Sequence, residues 1–236
     1  MGIENNLKHI RESIAAEAQR CNRNPEKIKL VAVTKKQTVQ NIWTAIQAGV
    51  QTFGENYIQE ARDKIETIQK MVLAQNIQKP SWHFIGHLQR NKAKYAVRYF
   101  DLIHSVDGLS LMEELNRYAQ KRDKCQKILI QVSTGEIQKS GISPEQLIPL
   151  VQKGVALNNI SICGLMVMPP YAQDPEESRP YFQNLSHLLN QLQITFSGNP
   201  NHPLDQLSMG MTGDFPVAIQ EGATFVRVGT AIFKNT

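Results

Sequence analysis

The chain has 236 residues, of which 41% are hydrophobic and 20% are charged, and its 26 Lys and Arg against 21 Asp and Glu give a formal net charge of +5. This composition is typical of a soluble globular protein with one large domain or two small ones. No stretch is apolar and long enough to cross a bilayer, and the first 20 residues carry charges, so we expect a cytoplasmic protein with no membrane partner.

The positive excess is small and is dispersed among the acidic residues, so we expect no nucleic-acid partner. One basic cluster, residues 89–95 with Arg98 a turn beyond, lies on a predicted helix. It could be an ordinary exposed helix face or could meet an anion, and a basic adaptor that uses this helix stays open as an alternative function. Binding by such an adaptor would be sensitive to salt.

Cys21, Cys125 and Cys163 are far apart and form no CxxC or Cys/His cluster. This spacing argues against both a disulfide framework and a zinc site, so we expect reduced thiols and no bound metal.

Strand and helix signals alternate along the chain after an N-terminal amphipathic helix over residues 1–19. The predicted strands cover residues 29–34, 51–53, 82–85, 101–104, 127–132, 160–166, 206–208 and 224–228. The predicted helices cover residues 38–47, 56–70, a segment from 91, and then 108–121, 143–153, 175–192 and 214–220. Each of the eight strands is thus followed by helical material.

Regular alternation of this kind predicts an α/β fold with a parallel sheet and crossover helices. Eight units in 236 residues favour a single (β/α)8 barrel of the TIM type with an extra N-terminal helix, one domain over residues 1–236. An open doubly wound sheet is the alternative, because alternation alone does not separate closed from open sheets. Its usual fingerprint, GxGxxG after the first strand, is absent.

Lys35 follows an apolar, β-branched run at the end of the first predicted strand. By alternation it shares one face with Val31 and Val33, so we expect its amine to lie beside buried valines. Loss of hydration disfavours the ammonium form and makes a lysine a nucleophile that forms Schiff bases. The alternative is that Lys35, like Lys36, is simply the first exposed residue after the strand.

Two glycine-containing loops near the end of the chain suit an anion. Ser208 and Thr230 offer hydroxyls, and a helix that begins after Gly229 would direct free N–H groups at a phosphate. Barrels often bind phosphate between the seventh and eighth strands. Each loop alone is a weak signal, since such loops are commonly turns. Together with a buried lysine, they predict a phosphorylated aldehyde as ligand.

Arg227 shares one face of the eighth predicted strand with Phe225, so its side chain should point into a barrel, where it needs an acceptor. It could form a salt bridge at the rim. It could also donate to the pyridine nitrogen of pyridoxal phosphate, a role that arginine has in some enzymes and aspartate in others. A permanently charged arginine accepts no hydrogen bond, so it would keep the ring nitrogen unprotonated and the ring a weaker electron sink.

His83 and His87 are four residues apart, which puts them on one face of a strand. They have no acidic or cysteine companions, so a metal site is not expected there. We expect His83, and likewise His104, to be packed inside the protein.

At these residues the chain resembles the pyridoxal phosphate homeostasis protein family, whose fold is similar to the N-terminal barrel of alanine racemase. The resemblance runs nearly from end to end. The matching segments are Val31-Ala32-Val33-Thr34-Lys35, Phe53-Gly54-Glu55-Asn56-Tyr57, residues 82–92, Gly164-Leu165-Met166, Ser208-Met209-Gly210-Met211 and Val226-Arg227-Val228-Gly229-Thr230.

The resemblance implies a pyridoxal 5′-phosphate (PLP) site with the following cofactor-binding residues. Lys35 would carry the Schiff base, Arg227 would face the ring nitrogen, and Asn56 would lie beside the cofactor. Ser208, Gly229 and Thr230 would hold the phosphate.

The chain departs from the family pattern at Thr34 and Thr212, where serine is usual, and Lys36 directly follows the Schiff-base lysine. The resemblance and the valine alternation both favour Lys35. Lys36 should then point to solvent or into the helix layer.

The resemblance also implies a protein that binds PLP reversibly and takes part in intracellular vitamin B6 homeostasis, without catalytic turnover. Related racemases use a second, β-rich domain and a tyrosine of the partner subunit, and the barrel here is followed directly by Thr236. We therefore expect neither a second base nor water exclusion, no catalytic residues, a monomer, and transient transfer of PLP to apo-enzymes. The alternative is a PLP-dependent amino-acid racemase or decarboxylase.

Overall fold

In the computed structural model, which describes residues 2–135 and 140–234, eight parallel strands close into a barrel. Each strand pairs with the next along the chain, and β8 pairs with β1. The strands are β1 Lys29–Val33, β2 Thr52–Glu55, β3 Ser81–Phe84, β4 Leu102–Val106, β5 Gln126–Gln131, β6 Ile160–Met166, β7 Gln206–Ser208 and β8 Phe225–Val228.

The helices of the described residues form the outer layer and close the barrel's sides. They are α1 Ile3–Arg20, α2 Val39–Gln47, α3 Ile58–Ala74, α4 Ala93–Tyr99, α5 Leu109–Gln120, α6 Pro144–Gly154, α7 Arg179–Thr195, α8 Phe215–Gln220 and α9 Thr230–Phe233. None of the helices in residues 2–135 and 140–234 is long and apolar enough to cross a membrane.

Closure of the sheet distinguishes the predicted barrel from the open alternative. β1 and β8 pair in parallel, with Lys29 opposite Phe225 and Val31 opposite Arg227. An open sheet would leave these two edges unpaired. The predicted α/β fold class, a TIM-type (β/α)8 barrel with an extra N-terminal helix, is confirmed.

The N-terminal helix follows the predicted apolar stripe. Ile3, Leu7, Ile10 and Ile14 are buried, and α1 packs against α2, α8 and α9. Met1, the first residue of the predicted helix, lies outside the described residues.

Inside the barrel, the strand residues alternate between a packed interior and the helix layer, as parallel strands buried on both faces do. One apolar cluster fills part of the interior and consists of Val31, Leu102, Leu129, Cys163, Met166 and Phe225. Phe225 and Arg227 therefore share the inner face, as predicted. Cys21, Cys125 and Cys163 are free thiols.

The main difference from the predicted bounds concerns the end of β1, which stops at Val33. Lys36 has φ of 62°, in the left-handed region, and the Gln37 N–H donates to the Thr34 carbonyl. The chain turns away here, so strand alternation no longer decides where the side chain of Lys35 points.

Candidate functional site

A cavity of about 710 Å³ lies at the N-terminal mouth of the barrel, and a second, of about 510 Å³, lies at the C-terminal mouth. The C-terminal cavity contains Lys35 after β1 and Arg227, Gly229 and Thr230 at the end of β8. Loops after β6 and β7 complete its wall. In barrels of this kind, ligand chemistry takes place at the C-terminal ends of the strands.

Lys35 lines this cavity, but its side chain is exposed, so the expectation of an amine buried beside valines was wrong. The buried residue at this point is Thr34, which has no exposed surface. The physical reason is the turn at Thr34–Gln37, which ends the alternation before Lys35. Lys36 is also exposed, as expected.

A buried ionic cluster holds the loop that carries Lys35. The Lys64 ammonium, on α3, lies 3.0 Å from Glu55 Oε1 and 2.6 Å from Glu60 Oε1, and it donates to the Thr34 carbonyl at 2.6 Å. Thr34 Oγ1 donates to Glu55 Oε1 at 2.7 Å, and Glu60 Oε1 accepts from the Lys36 N–H. Both residues that flank Lys35 are thereby tied to α3.

The two carboxylates of this cluster have pKa values that move in opposite directions. Burial raises the pKa of Glu55, and the nearby Lys64 only partly offsets this. Partial burial also acts to raise the pKa of Glu60, but hydrogen bonds from Lys64 and from the Lys36 N–H outweigh it and hold that pKa below its ordinary value.

Arg227 is buried, 5% exposed, and faces the cavity from below. Its Nη1 donates to Ser208 Oγ at 2.6 Å and its Nη2 to the Val167 carbonyl at 2.9 Å. Burial lowers its pKa to about 10, while Asp214 acts in the opposite direction, so the guanidinium stays charged at neutral pH. The prediction of an inward-pointing arginine is confirmed.

Two buried histidines continue this contact across the barrel interior. Ser208 Oγ lies 2.8 Å from His104 Nδ1, and His104 Nε2 lies 2.9 Å from His83 Nδ1. Burial lowers the pKa of His83 to about 3 and that of His104 well below its ordinary value, so both rings are neutral at pH 7. The expectation that both histidines are packed inside is confirmed.

The loop after β7 is held in place by Asp214. Its Oδ1 accepts from the Met211 N–H at 2.6 Å and its Oδ2 from Ser178 Oγ at 2.9 Å. Gly210 starts this loop with φ of +86°, and a Cβ there would lie 2.6 Å from that of Ala218. Thr212 and Gly213 are presented to the cavity in consequence.

Gly229 and Thr230 lie in the cavity wall beside the end of β1. A Cβ at Gly229 would approach the Val33 Cβ to 3.1 Å and the Val33 carbonyl to 3.2 Å, so glycine lets β8 pass close to β1 at the edge of the cavity. The N–H groups of Thr230 and Ala231 precede every acceptor within α9, whereas the Ile232 and Phe233 N–H groups both donate to the Gly229 carbonyl.

Asn56 and Ser208 are not among the described residues that line the cavity. Asn56 Oδ1 is buried and has no hydrogen-bond partner in the described part of the chain. The Ser208 hydroxyl is engaged by Arg227 and His104 inside the barrel. Direct contact of these two residues with a ligand stays a prediction.

Sequence reasoning missed the positioning residues Glu55, Lys64 and Asp214. Glu55 could have been found, because it is a charged residue inside a segment that resembles the family, Phe53-Gly54-Glu55-Asn56-Tyr57. Nothing in the spacing of Lys64 distinguishes it from an exposed helical lysine, because its burial comes from the packing of α3 over the β1 loop. Asp214 looks like an ordinary helix-start residue in the sequence.

The charges that line the cavity are Lys35, Arg227 and Lys234 against Asp214. The lining thus carries three cationic side chains and one carboxylate, and both oxygens of that carboxylate already accept hydrogen bonds from Met211 and Ser178. Within residues 2–135 and 140–234, no three His, Cys, Asp or Glu side chains are grouped to hold a metal ion. The arrangement offers an accessible amine and a buried cation, which suits an anionic carbonyl compound.

Comparison with known proteins gives a consistent result over nearly the whole chain. The family model described as "Alanine racemase, N-terminal domain" matches residues 5–236. The pyridoxal phosphate homeostasis protein of Aquifex aeolicus is 39% identical over 228 residues, covering 96% of this chain and 95% of that protein. The Escherichia coli K12 protein of the same name is 38% identical over 234 residues, covering 98% and 95%.

Among solved structures, PipY of Synechococcus elongatus with PLP bound is 34% identical and superimposes with a TM-score of 0.82, covering 98% of this chain and 99% of that one. Each of these matches thus covers nearly the whole length of both chains. The chain therefore belongs to the pyridoxal phosphate homeostasis protein family, whose barrel is that of the alanine racemase N-terminal domain.

Proposed function

We propose that this protein binds PLP in the C-terminal cavity and takes part in vitamin B6 homeostasis. The observation that carries the proposal is that one cavity brings together Lys35 from the end of β1 and Arg227, Gly229 and Thr230 from the end of β8. Its volume of about 510 Å³ lies in the range of small-molecule sites. The family membership and the PLP-bound PipY structure support the same ligand.

The residues present fit the cofactor. PLP carries an aldehyde, a pyridine nitrogen and a dianionic phosphate, and the cavity offers an amine, a guanidinium, and a hydroxyl with backbone N–H groups. Arg227 would donate to the ring nitrogen, and Gly229 and Thr230 would hold the phosphate. Ser208 would act through Arg227, whose guanidinium it contacts, and Asn56 would lie beside the ring.

The covalent part of the proposal concerns Lys35. Its amine would hold the aldehyde of PLP as a Schiff base, with release of water, and hydrolysis would reverse the link. Exposure of Lys35 leaves the amine accessible to incoming PLP and leaves the bond accessible to water. Both properties suit a protein that takes up and releases the cofactor.

We further propose that the protein does not turn over amino acids. Proton abstraction benefits from a site that excludes water, and Lys35 is exposed at the mouth of the barrel. Arg227, charged at neutral pH, would keep the ring nitrogen unprotonated and weaken the electron sink.

A wider set of expectations belongs to this proposal. We expect one PLP-binding domain over residues 1–236, a monomer, transient transfer of PLP to apo-enzymes, and no nucleic-acid partner. The cytoplasmic location stays a prediction.

An absorbance spectrum tests whether the protein binds PLP through Lys35. The purified protein loaded with PLP is expected to absorb in the visible region and to lose this band on treatment with borohydride. Lys35→Ala should lack the band and bind PLP roughly tenfold or more weakly. Lys36→Ala is the matched control, since Lys36 is also exposed and directly adjacent, and it should keep the band. A wild-type protein without the band, or a Lys35→Ala variant that keeps it, would refute the proposal.

Turnover distinguishes a carrier from the racemase or decarboxylase alternative. The PLP-loaded protein is incubated with each common amino acid in deuterated water, and chirality, deuterium incorporation and CO₂ release are followed. We expect no exchange beyond that of free PLP. Exchange at enzyme-like rates that Lys35→Ala abolishes would establish the alternative.

A further inference from the structure

The cavity at the N-terminal mouth of the barrel lies at the opposite end from the Lys35 cavity. Its volume is about 710 Å³, and its wall is built from residues at the beginnings of the strands, including Lys29 of β1, Ser81 and His83 of β3, and Lys127 of β5. Among the described residues, none lines both cavities.

The wall of the N-terminal cavity carries more positive than negative charge. Its cations are Arg11, Lys29, Lys79 and Lys127, and its carboxylates are Glu26 and Asp101. Asp101 Oδ2 already accepts from the Ser81 hydroxyl and the Trp82 N–H. Arg11 donates to the Ala48 carbonyl, and the Lys29 ammonium lies 5.6 Å from the centre of the Phe225 ring.

The three lysines are exposed and free to meet a ligand. No ion pair within residues 2–135 and 140–234 involves Lys29, Lys79 or Lys127. Lys29 and Lys127 precede the interior residues Val31 and Leu129 by two positions in their strands, so they lie on the inner face of the barrel. Both ammonium groups are therefore directed to the rim of this mouth.

The hydrogen-bond partners of Ser208 assign the protons of the buried histidines. Arg227 is always a donor, so Ser208 Oγ accepts from it, and in the described part of the chain His104 Nδ1 is the one acceptor within reach of the Ser208 hydroxyl, to which we assign its proton. Neutral His104 then carries its proton on Nε2 and donates to His83 Nδ1. Neutral His83 must carry its proton on Nε2.

His83 Nε2–H is the free end of the chain. His83 is 5% exposed and lines the N-terminal cavity, and in the described part of the chain its Nε2 has no acceptor. The floor thus offers one hydrogen-bond donor inside a ring of cations.

We propose that the N-terminal mouth is a second binding site, for a small carboxylate- or phosphate-bearing anion. Its acceptor oxygens would take the His83 Nε2–H and the ammonium groups of Lys29 and Lys127. The ligand is distinct from PLP in the C-terminal cavity, and the site does not depend on Lys35.

Histidine NMR tests the floor of the site directly. In protein with ¹⁵N-labelled histidine, assigned by comparison with His83→Asn, His83 is expected as the Nε2–H tautomer. Addition of citrate and of inorganic phosphate, in separate titrations, should shift the His83 resonances with saturation. Saturation by citrate alone identifies carboxylate recognition, and saturation by phosphate alone identifies phosphate recognition.

Paired charge variants separate this site from general attraction to a basic protein. Lys29→Gln/Lys127→Gln removes two rim charges, while Lys70→Gln/Lys153→Gln removes two exposed charges that do not line the cavity. The first should weaken binding roughly tenfold or more, and the second should leave it within about twofold. Circular dichroism confirms that both variants fold. The proposal is overturned if His83 carries its proton on Nδ1, if neither anion shifts it, or if both variants weaken binding equally.

Discussion

Arg227 Nη1 lies 2.6 Å from Ser208 Oγ, and both groups are buried between the Lys35 cavity and the two interior histidines. This contact gives a buried cation a fixed orientation. A charge in such a place is stable only when hydrogen bonds replace its hydration. The Ser208 hydroxyl therefore supports the position from which Arg227 would meet the PLP ring.

Ser208→Ala removes the oxygen that joins Arg227 to His104. Both partners then lose a buried hydrogen bond, so the free energy of unfolding should fall by about 1–3 kcal/mol. PLP affinity should fall as well, because the guanidinium is no longer held. Urea unfolding and PLP titration measure the two effects.

Ser105→Ala is the control for this variant. Ser105 is 1% exposed, and its hydroxyl has no partner in the described part of the chain. Its removal should leave stability unchanged or slightly higher, since a buried unpaired hydroxyl is unfavourable. Equal losses in the two variants would contradict the role given to Ser208.

Stability should fall as the pH falls from 7 to 5 because of the buried histidines. The pKa of His83 is about 3 in the folded protein, below its ordinary value of 6.5, so the unfolded chain binds more protons in the window between them. The contribution of neutral His83 to the free energy of unfolding is fully present above pH 6.5 and is lost as the pH falls toward 3. Over two pH units, His83 accounts for about 2 kcal/mol.

His83→Asn should flatten this dependence, because asparagine keeps an acceptor for His104 but does not titrate. The measurement is urea unfolding at pH 7, 6 and 5, with His9→Asn as the control on an exposed histidine. The His9 variant should follow the wild type. A His83→Asn profile as steep as that of the wild type would show that the pKa of His83 is not depressed.

Lys64→Met leaves the Glu55 carboxylate buried without its cation. We expect a loss of about 3 kcal/mol in the free energy of unfolding at pH 8. Burial already raises the pKa of Glu55 above its unfolded value, and without Lys64 it rises further. The folded state then holds a proton that the unfolded state has lost, so stability falls as the pH rises above about 4.5. The loss should accordingly be smaller at pH 5.

Lys70→Met, on the exposed side of the same helix, is the control and should change stability by less than about 0.5 kcal/mol. The double variant Lys64→Met/Glu55→Gln should recover part of the loss at pH 8. A loss that is independent of pH would mean that Glu55 is not the group left unpaired.

Gly210→Ala tests the loop that presents Thr212 and Gly213 to the cavity. The positive φ of Gly210 and the 2.6 Å approach of a Cβ to Ala218 predict a loss of at least about 2 kcal/mol, with weaker PLP binding. In the same loop, a Cβ at Gly213 would meet nothing within 4 Å. Gly213→Ala should therefore unfold like the wild type, and equal destabilisation of both variants would contradict this geometry.

Much of the fold could be predicted because each strand is a short apolar run between helix signals. The strands 160–166 and 206–208 have the predicted bounds, and the inward direction of Arg227 follows from alternation within β8. Period-two patterning decides side-chain direction wherever the chain remains extended.

The pattern fails where the chain turns. The β1 alternation, extended beyond Val33, predicts a buried Lys35, but β1 ends at Val33 and Lys36 has a positive φ, so the strand geometry has ended there. The partners of Ser208 could not be predicted either, since His104 lies on the far side of the barrel and 104 residues away in sequence. Such contacts depend on closure of the sheet.

The most direct test of the central claim is peptide mapping of the protein after loading with PLP and reduction with borohydride. Mass spectrometry should find the reduced pyridoxyl phosphate group on Lys35, and Lys35→Ala should carry none. A label on the adjacent Lys36, or no label on the wild-type protein, would contradict the account.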